Sequence, residues 1–284
     1  MDLQTLISTS ELAEHMNDPD WVILDCRFSL SDTGKGRHDY LEAHIPSALY
    51  VHLDEDLSAP KIPGVTGRHP LPTVDAVARV FSRWGIEPGV QVVAYDDAGG
   101  ALAAVRAWWM LRWLGHDAAA VLDGGWQRWV KDGYQIRGGE ESRPERVFIP
   151  QPHDEMIVTT EEVQKIRLDP GCRLFDARAT ERFRGQNETI DPVAGHIPGA
   201  VSAPYLFNLK PDHQFRSPEE LRARYNRLLG EIPAERAMFY CGSGVTSIHN
   251  ILAMLYAGLG EARLYVGSWS EWITDPDRPI ATGP

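Results

Sequence analysis

The sequence predicts an α/β fold built from two tandem domains of one kind, each a mainly parallel sheet flanked by helices. Three observations predict it. Short apolar runs alternate with helical patterns, the order that parallel sheets with crossover helices require. Five segments of the first half recur in the same order in the second, and a repeat of this kind decides the architecture. A polar stretch with Gly138-Gly139, Pro144, Pro150 and Pro152 separates the halves.

The elements follow in chain order. Ser8 to Glu11 has capping-box spacing ahead of a helical run, and Thr159 to Glu162 repeats it 151 residues on. Val22–Leu24 runs into Asp25-Cys26-Arg27, and Leu174–Phe175 runs into Asp176-Ala177-Arg178, again 151 residues on. His44-Ile45-Pro46 matches His196-Ile197-Pro198 at an offset of 152. Val92–Tyr95, followed by Asp96, matches Ala237–Tyr240, followed by Cys241, at an offset of 145, so the second copy is shorter between these points. Gly124-Gly125-Trp126 matches Gly267-Ser268-Trp269. Buried strands are expected at Val22–Leu24, Val92–Tyr95, Ala119–Leu122, Leu174–Phe175, Ala237–Tyr240 and Ala262–Val266. Helices are expected at Val74–Trp84, Leu102–Leu114, Pro218–Leu229 and Ile248–Ala257, with Pro218 suited to a first turn after Ser217. The domains are then residues 1–137 and 154–284, with a linker at 138–153.

Bulk properties exclude several functions. The 284 residues carry a formal net charge of −12, which argues against nucleic acid, because phosphate binding needs a basic surface. Three cysteines, Cys26, Cys172 and Cys241, do not make a disulfide framework and suit a reducing compartment. No apolar stretch approaches the ~18 residues of a membrane span, and the N-terminus lacks the basic and apolar regions of a secretory leader. A cytoplasmic protein without membrane or nucleic-acid partners is expected. Metal-ligand spacings such as Cys-x-x-Cys or His-Glu-x-x-His are missing, so no metal or cofactor is expected.

The reactive centre is read at Cys241-Gly242-Ser243-Gly244-Val245-Thr246-Ser247. A cysteine here ends a strand and opens a small-residue loop leading into a helix. Backbone N–H groups gather round an anion at such a place. Gly242 and Gly244 let the backbone curl so that successive N–H vectors converge, and Ser243 and Thr246 add hydroxyls. Arg182 and Arg184 follow the Asp176 strand and reach the same sheet edge, where a cation could hold a substrate carboxylate. Arg27 and Arg178 are expected to partner local carboxylates, because both copies have them and only one has the cysteine. The same reasoning gives His196 a packing role.

Taken together, the duplicated Asp-x-Arg, His-Ile-Pro and Gly-[Gly/Ser]-Trp segments and the cysteine loop resemble the rhodanese-type sulfurtransferases over nearly the whole chain. The resemblance implies that Cys241 is the nucleophile and that the first domain, with Asp96 at the matching position, is inactive. Cys-Gly-Ser-Gly-Val-Thr is similar to the 3-mercaptopyruvate branch, whereas the thiosulfate branch places basic side chains at the positions of Gly242 and Ser243. The implied reaction moves sulfur from 3-mercaptopyruvate, through a Cys241 persulfide, to a thiol or cyanide, releasing pyruvate. Its partners are a small anionic donor and an acceptor thiol, thioredoxin-like or of low molecular weight. The loop residues Gly242 to Ser247 bind the substrate, Arg182 is the family's substrate-binding arginine, and Ser243 assists.

The family's second arginine is missing from Gln186–Ala194, where Arg184 is the nearest replacement. A first-domain histidine near the cysteine is implied at His44. Alternative readings are a thiosulfate sulfurtransferase and a noncatalytic persulfide carrier. A cysteine phosphatase would need an arginine where Ser247 stands.

Overall fold

The computed structural model describes residues 3–284, and it separates into two compact units. The first comprises the chain up to Ala59, Pro72–His153 and Pro211–Phe215; the second comprises Pro60–Leu71, Asp154–Lys210 and Arg216–Pro284. Packing therefore does not follow two contiguous halves. The stretch expected as a linker, 138–153, runs along the first unit, with Arg146 N–H to Ser82 O (3.0 Å), Gln151 N–H to Leu114 O (2.9 Å) and His153 N–H to Trp113 O (2.8 Å).

In the first unit, β1 (Leu6–Ile7), β2 (Trp21–Asp25), β3 (Ala48–Tyr50), β4 (Gln91–Tyr95) and β5 (Ala119–Leu122) form a sheet in the order β1-β5-β4-β2-β3. In the second, β6 (Ile157–Val158), β7 (Arg173–Asp176), β8 (Val201–Ser202), β9 (Ala237–Tyr240) and β10 (Arg263–Tyr265) repeat it as β6-β10-β9-β7-β8. Every pairing is parallel. The strands β4 and β9 are buried at every residue. A parallel sheet covered on both faces demands this, and it explains their continuous apolar runs.

Strands β1, β3, β6 and β8 were not expected. At two or three residues they are too short for a sequence period and are set by register with a longer neighbour, as in Phe175 opposite Val201. Helices Val74–Arg83, Ala103–Trp113, Pro218–Leu229 and Ile248–Tyr256 form where expected. Leu12, Ile23, Val93 and Trp129 belong to the core of the first unit; Val163, Leu174, Met238, Trp269 and Trp272 belong to that of the second. No helix among the described residues is long and apolar enough to cross a membrane.

The duplicated motifs build the same devices twice. Arg27 Nε and Nη2 fork onto Asp25 at 3.0 and 2.6 Å, and Arg178 does the same to Asp176 at 3.0 and 2.6 Å. Each guanidinium also caps a carbonyl at 2.6 Å, Ala43 or Gly195, and lies over a tryptophan, Trp126 or Trp269. Removing one partner of such a buried pair costs about 3–5 kcal/mol, since the other charge is left uncompensated. His44 and His196 are also equivalent. Each ring stacks on an aromatic side chain, Tyr40 or Phe183, and sets Nδ1 2.7 Å from that residue's own carbonyl.

Candidate active site

Cys241 follows β9 directly and is buried, at 3% exposure. Its backbone is fixed from the β10 side. Its N–H donates to Ser268 Oγ (3.2 Å), and its carbonyl accepts from Trp269 N–H (3.0 Å). Gly242 O likewise accepts from Ser270 N–H at 2.9 Å. The loop turns at Gly244, whose φ is +70°. A β-carbon there would sit 2.4 Å from Val266 O, so only glycine fits. Helix Ile248–Tyr256 then starts at Ser247. The backbone N–H groups of Gly242, Ser243, Val245, Thr246 and Ser247 find no protein acceptor among the described residues. They are a set of unspent donors in the loop that follows the cysteine.

Ser243 is buried, and its hydroxyl lies 2.8 Å from Nδ1 of His69, a histidine on Pro60–Leu71 within the same unit. His44, the histidine expected to assist, is fully buried in the first unit, stacked on Tyr40, with Nε2 3.6 Å from Glu141. Its ring is committed to packing, as is that of its duplicate His196. His69 had one sequence signal. The offset between copies drops from 152 to 145 across the region that contains it, so the two halves differ in length here.

Arg182 lies on the short helix Thr180–Phe183 after β7. Its Nε donates to both oxygens of Glu188 (3.1 and 2.9 Å), and its Nη2 donates to Asp191 Oδ2 (2.8 Å). Burial pushes the Glu188 carboxyl up. The Arg182 bond and the N–H groups of Asp191 and Ile190 outweigh it and hold that carboxyl below its ordinary range. The second guanidinium in this cluster is Arg68, whose Nη1 donates to Asp191 Oδ1 at 2.7 Å. Arg184 is exposed at the end of the short helix, with its carbonyl taken by Gly283 N–H. The expected role for Arg184 is therefore not supported by its position. Two residues apart, Arg182 is mostly covered and ion-paired whereas Arg184 is exposed.

The matching loop of the first unit is closed on itself. Asp96 is fully buried, and its Oδ1 accepts from Ala98 N–H (2.9 Å) and Gly100 N–H (2.8 Å) while Oδ2 accepts from Leu102 N–H (2.9 Å). Burial raises its carboxyl to about 6, against the lowering effect of those three N–H bonds.

The Rhodanese-like domain family matches this chain twice, at residues 8–132 and 159–275. A relative from Pseudomonas aeruginosa, named "Probable 3-mercaptopyruvate sulfurtransferase", is 48% identical over 284 residues, covering 100% of both chains. The thiosulfate sulfurtransferase of Rattus norvegicus is 32% identical over 293 residues, covering 99% of this chain and 96% of its own. Among solved structures, 3-mercaptopyruvate sulfurtransferase from Leishmania major superposes with a TM-score of 0.84 at 32% identity, over 95% of this chain and 74% of that one. The chain belongs to the rhodanese-like family, as a tandem of two such domains. In activity it is a sulfurtransferase, the class shared by these relatives.

Proposed function

We propose that the donor is 3-mercaptopyruvate and that Cys241 carries the sulfur as a persulfide. The observation that carries this reading is the Ser243–His69 pair, 2.8 Å apart beside Cys241 in a loop without a basic side chain. A mercaptan donor brings a proton that must move, and a hydroxyl–imidazole pair is suited to moving it.

The Cys241 thiolate attacks the donor's sulfur. An S–S bond forms, the C–S bond breaks, and the carbon fragment leaves as the enolate of pyruvate. The thiol proton passes to Ser243 Oγ as the serine hydrogen passes to His69 Nδ1, and the enolate carbon is protonated to give pyruvate. The unspent loop N–H groups stabilise the persulfide anion. A thiol or cyanide then attacks the outer sulfur and regenerates the thiolate. Arg182, engaged with Glu188 and Asp191, adds positive charge at the edge of the loop that favours an anionic donor.

A donor panel tests this. With cyanide as acceptor, 3-mercaptopyruvate should give pyruvate and thiocyanate in equal amounts, at a kcat/KM well above that for thiosulfate. Cys241→Ser should lose both products and the persulfide mass increment. Preference for thiosulfate would replace the donor assignment, and turnover retained in Cys241→Ser would remove the nucleophile. Thiosulfate is kept as the second reading because two guanidinium groups stand at the loop and the rat relative carries that name.

A further inference from the structure

We propose that Arg68 is the specificity-determining residue that grips the donor's carboxylate, through the Nε–Nη2 edge of its guanidinium. The inference rests on the reading of the donor as a carboxylate-bearing thiol.

The segment that brings Arg68 is firmly seated. Arg68 N–H donates to Ser270 Oγ at 2.9 Å, and the neighbouring Gly67 lies so close that a β-carbon would sit 2.8 Å from Gly267 O. Asp191 then sets the spacing of the two arginines. Its Oδ1 accepts from Arg68 Nη1 and its Oδ2 from Arg182 Nη2, at 2.7 and 2.8 Å.

What distinguishes the two arginines is the edge each has left. A guanidinium grips a carboxylate best with two parallel N–H bonds. The Nε–Nη2 edge does this twice elsewhere in the chain, from Arg27 to Asp25 and from Arg178 to Asp176. In Arg182 that edge is spent, with Nε on Glu188 and Nη2 on Asp191. In Arg68 only Nη1 is engaged, and Nε is buried without a hydrogen-bond partner. A buried donor left unmade is costly, and a ligand that satisfies it recovers that cost.

The unspent edge lies beside the nucleophile. A β-carbon at Gly242 would sit 2.8 Å from Arg68 Nη2 but 3.9 Å from Arg182 Nη2. Gly242 is the residue after Cys241, and its missing side chain is the room that the Arg68 guanidinium uses. The cation next to the cysteine thus comes from Pro60–Leu71 rather than from the loop. Three arginines, Arg68, Arg178 and Arg182, balance three carboxylates, Asp176, Glu188 and Asp191, in this cluster, so recognition depends on the fork rather than on net charge. A planar carboxylate matches that fork.

The test compares wild type with Arg68→Gln and Arg68→Lys. Four quantities are read: kcat and KM for 3-mercaptopyruvate, the inhibition constant of pyruvate, and the rate of persulfide loading from inorganic polysulfide, which has no carboxylate. Arg68→Gln should raise both KM and the pyruvate inhibition constant about 10- to 100-fold, the range for losing hydrogen bonds to a charged group. It should also cut the preference for 3-mercaptopyruvate over polysulfide at least tenfold. Arg68→Lys keeps the charge without the fork and should recover only part of this. Unchanged KM and inhibition constant in both variants would overturn the proposal. So would an equal loss with both donors, which would mark Arg68 as structural. If the wild-type enzyme gives no pyruvate from 3-mercaptopyruvate, the donor reading itself falls, and this proposal with it.

Discussion

In the first unit, the loop after β4 turns three N–H groups onto the carboxylate of Asp96. In the second, the loop after β9 carries Cys241 at the same place and leaves five N–H groups without a protein acceptor among the described residues. The frame is the same anion cradle, filled from within in one unit and open in the other. Aspartate carries its oxygens two bonds beyond Cβ. A cysteine persulfide carries its terminal sulfur at the same reach. Asp96 therefore occupies its cradle much as a loaded Cys241 would occupy the other. An open cradle costs stability, because its donors are left without protein partners, and that is the condition for the chemistry.

The largest expected effect concerns what the second cradle has beyond its N–H groups. The first loop offers Asp97 and Ala98 after its acid, whereas the second has Ser243 in contact with His69. If the hydroxyl–imidazole pair moves the donor's proton, His69→Ala should lower kcat for 3-mercaptopyruvate by about 10²–10⁴-fold, the usual worth of a positioned acid–base group. Ser243→Ala should fall in the same range, and the double variant should lose little more than either single one, because the pair acts as a unit. Steady-state pyruvate release measures this. Additive losses would separate the two residues and reduce the cradle to its N–H groups.

Much of this contrast could be read before the fold was known. The two Asp-x-Arg forks, the replacement of cysteine by Asp96 and the position of Cys241 all follow from the repeat, because each motif is a local strand-end device whose partners lie within the motif or its copy. Arg182 was singled out differently, from its place after the Asp176 strand and from the resemblance to the family. His69 and Arg68 were not. They lie on Pro60–Leu71, which has no regular structure and no motif that repeats in sequence, and they join the second unit only through contacts far away in sequence, as Arg68 does with Ser270 and Asp191. The choice of His44 came from the resemblance to the family, whereas the repeat gave His196 a packing role; the two rings share one stacked geometry.

An intermediate effect tests whether the first cradle behaves as an anion site at all. Burial raises the Asp96 carboxyl to about 6 while its three N–H bonds lower it. A raised carboxyl means that the folded chain holds this proton more tightly than the unfolded chain. The contribution of Asp96 to stability is then fully present below its unfolded value near pH 4 and is lost as pH rises through 6. The loss is on the order of 3 kcal/mol. Asn at 96 is neutral like the protonated acid, but its Nδ2 cannot accept the Leu102 N–H that Oδ2 accepts. Asp96→Asn should therefore lie below wild type at pH 4, by about 1–3 kcal/mol for the lost bond, and gain on it by 2–3 kcal/mol, to order of magnitude, between pH 4 and pH 7. Urea unfolding at the two pH values reads this directly. A variant that instead falls further behind wild type as pH rises would show that the N–H groups outweigh burial, and that the first unit retains a working anion cradle.

The smallest effect sharpens the comparison at the floor of the loop. Gly125 and Ser268 are duplicates with nearly the same left-handed backbone, φ +56° and +54°. At Gly125 a β-carbon would meet Asp96 O at 2.3 Å, so the first unit requires glycine. The second unit accepts a serine there, fully buried, in a conformation that costs an L-residue about 1–2 kcal/mol. Its hydroxyl accepts the Cys241 N–H at 3.2 Å and donates to Tyr265 O at 2.9 Å. Ser268→Gly relieves the strain and removes both bonds, each worth about 1 kcal/mol, so stability should change by less than about 1 kcal/mol. Ser268→Ala keeps the strain and loses the bonds, and should be the less stable of the two by about 1 kcal/mol. This reverses the usual order at a buried position, where alanine is the better tolerated. Thermal unfolding of the pair decides it, and alanine above glycine would mean that the backbone at 268 carries no strain. Both variants release the Cys241 N–H. A shared, severalfold fall in kcat, set against unequal stabilities, would therefore separate the hydroxyl's grip on the cysteine from its effect on folding.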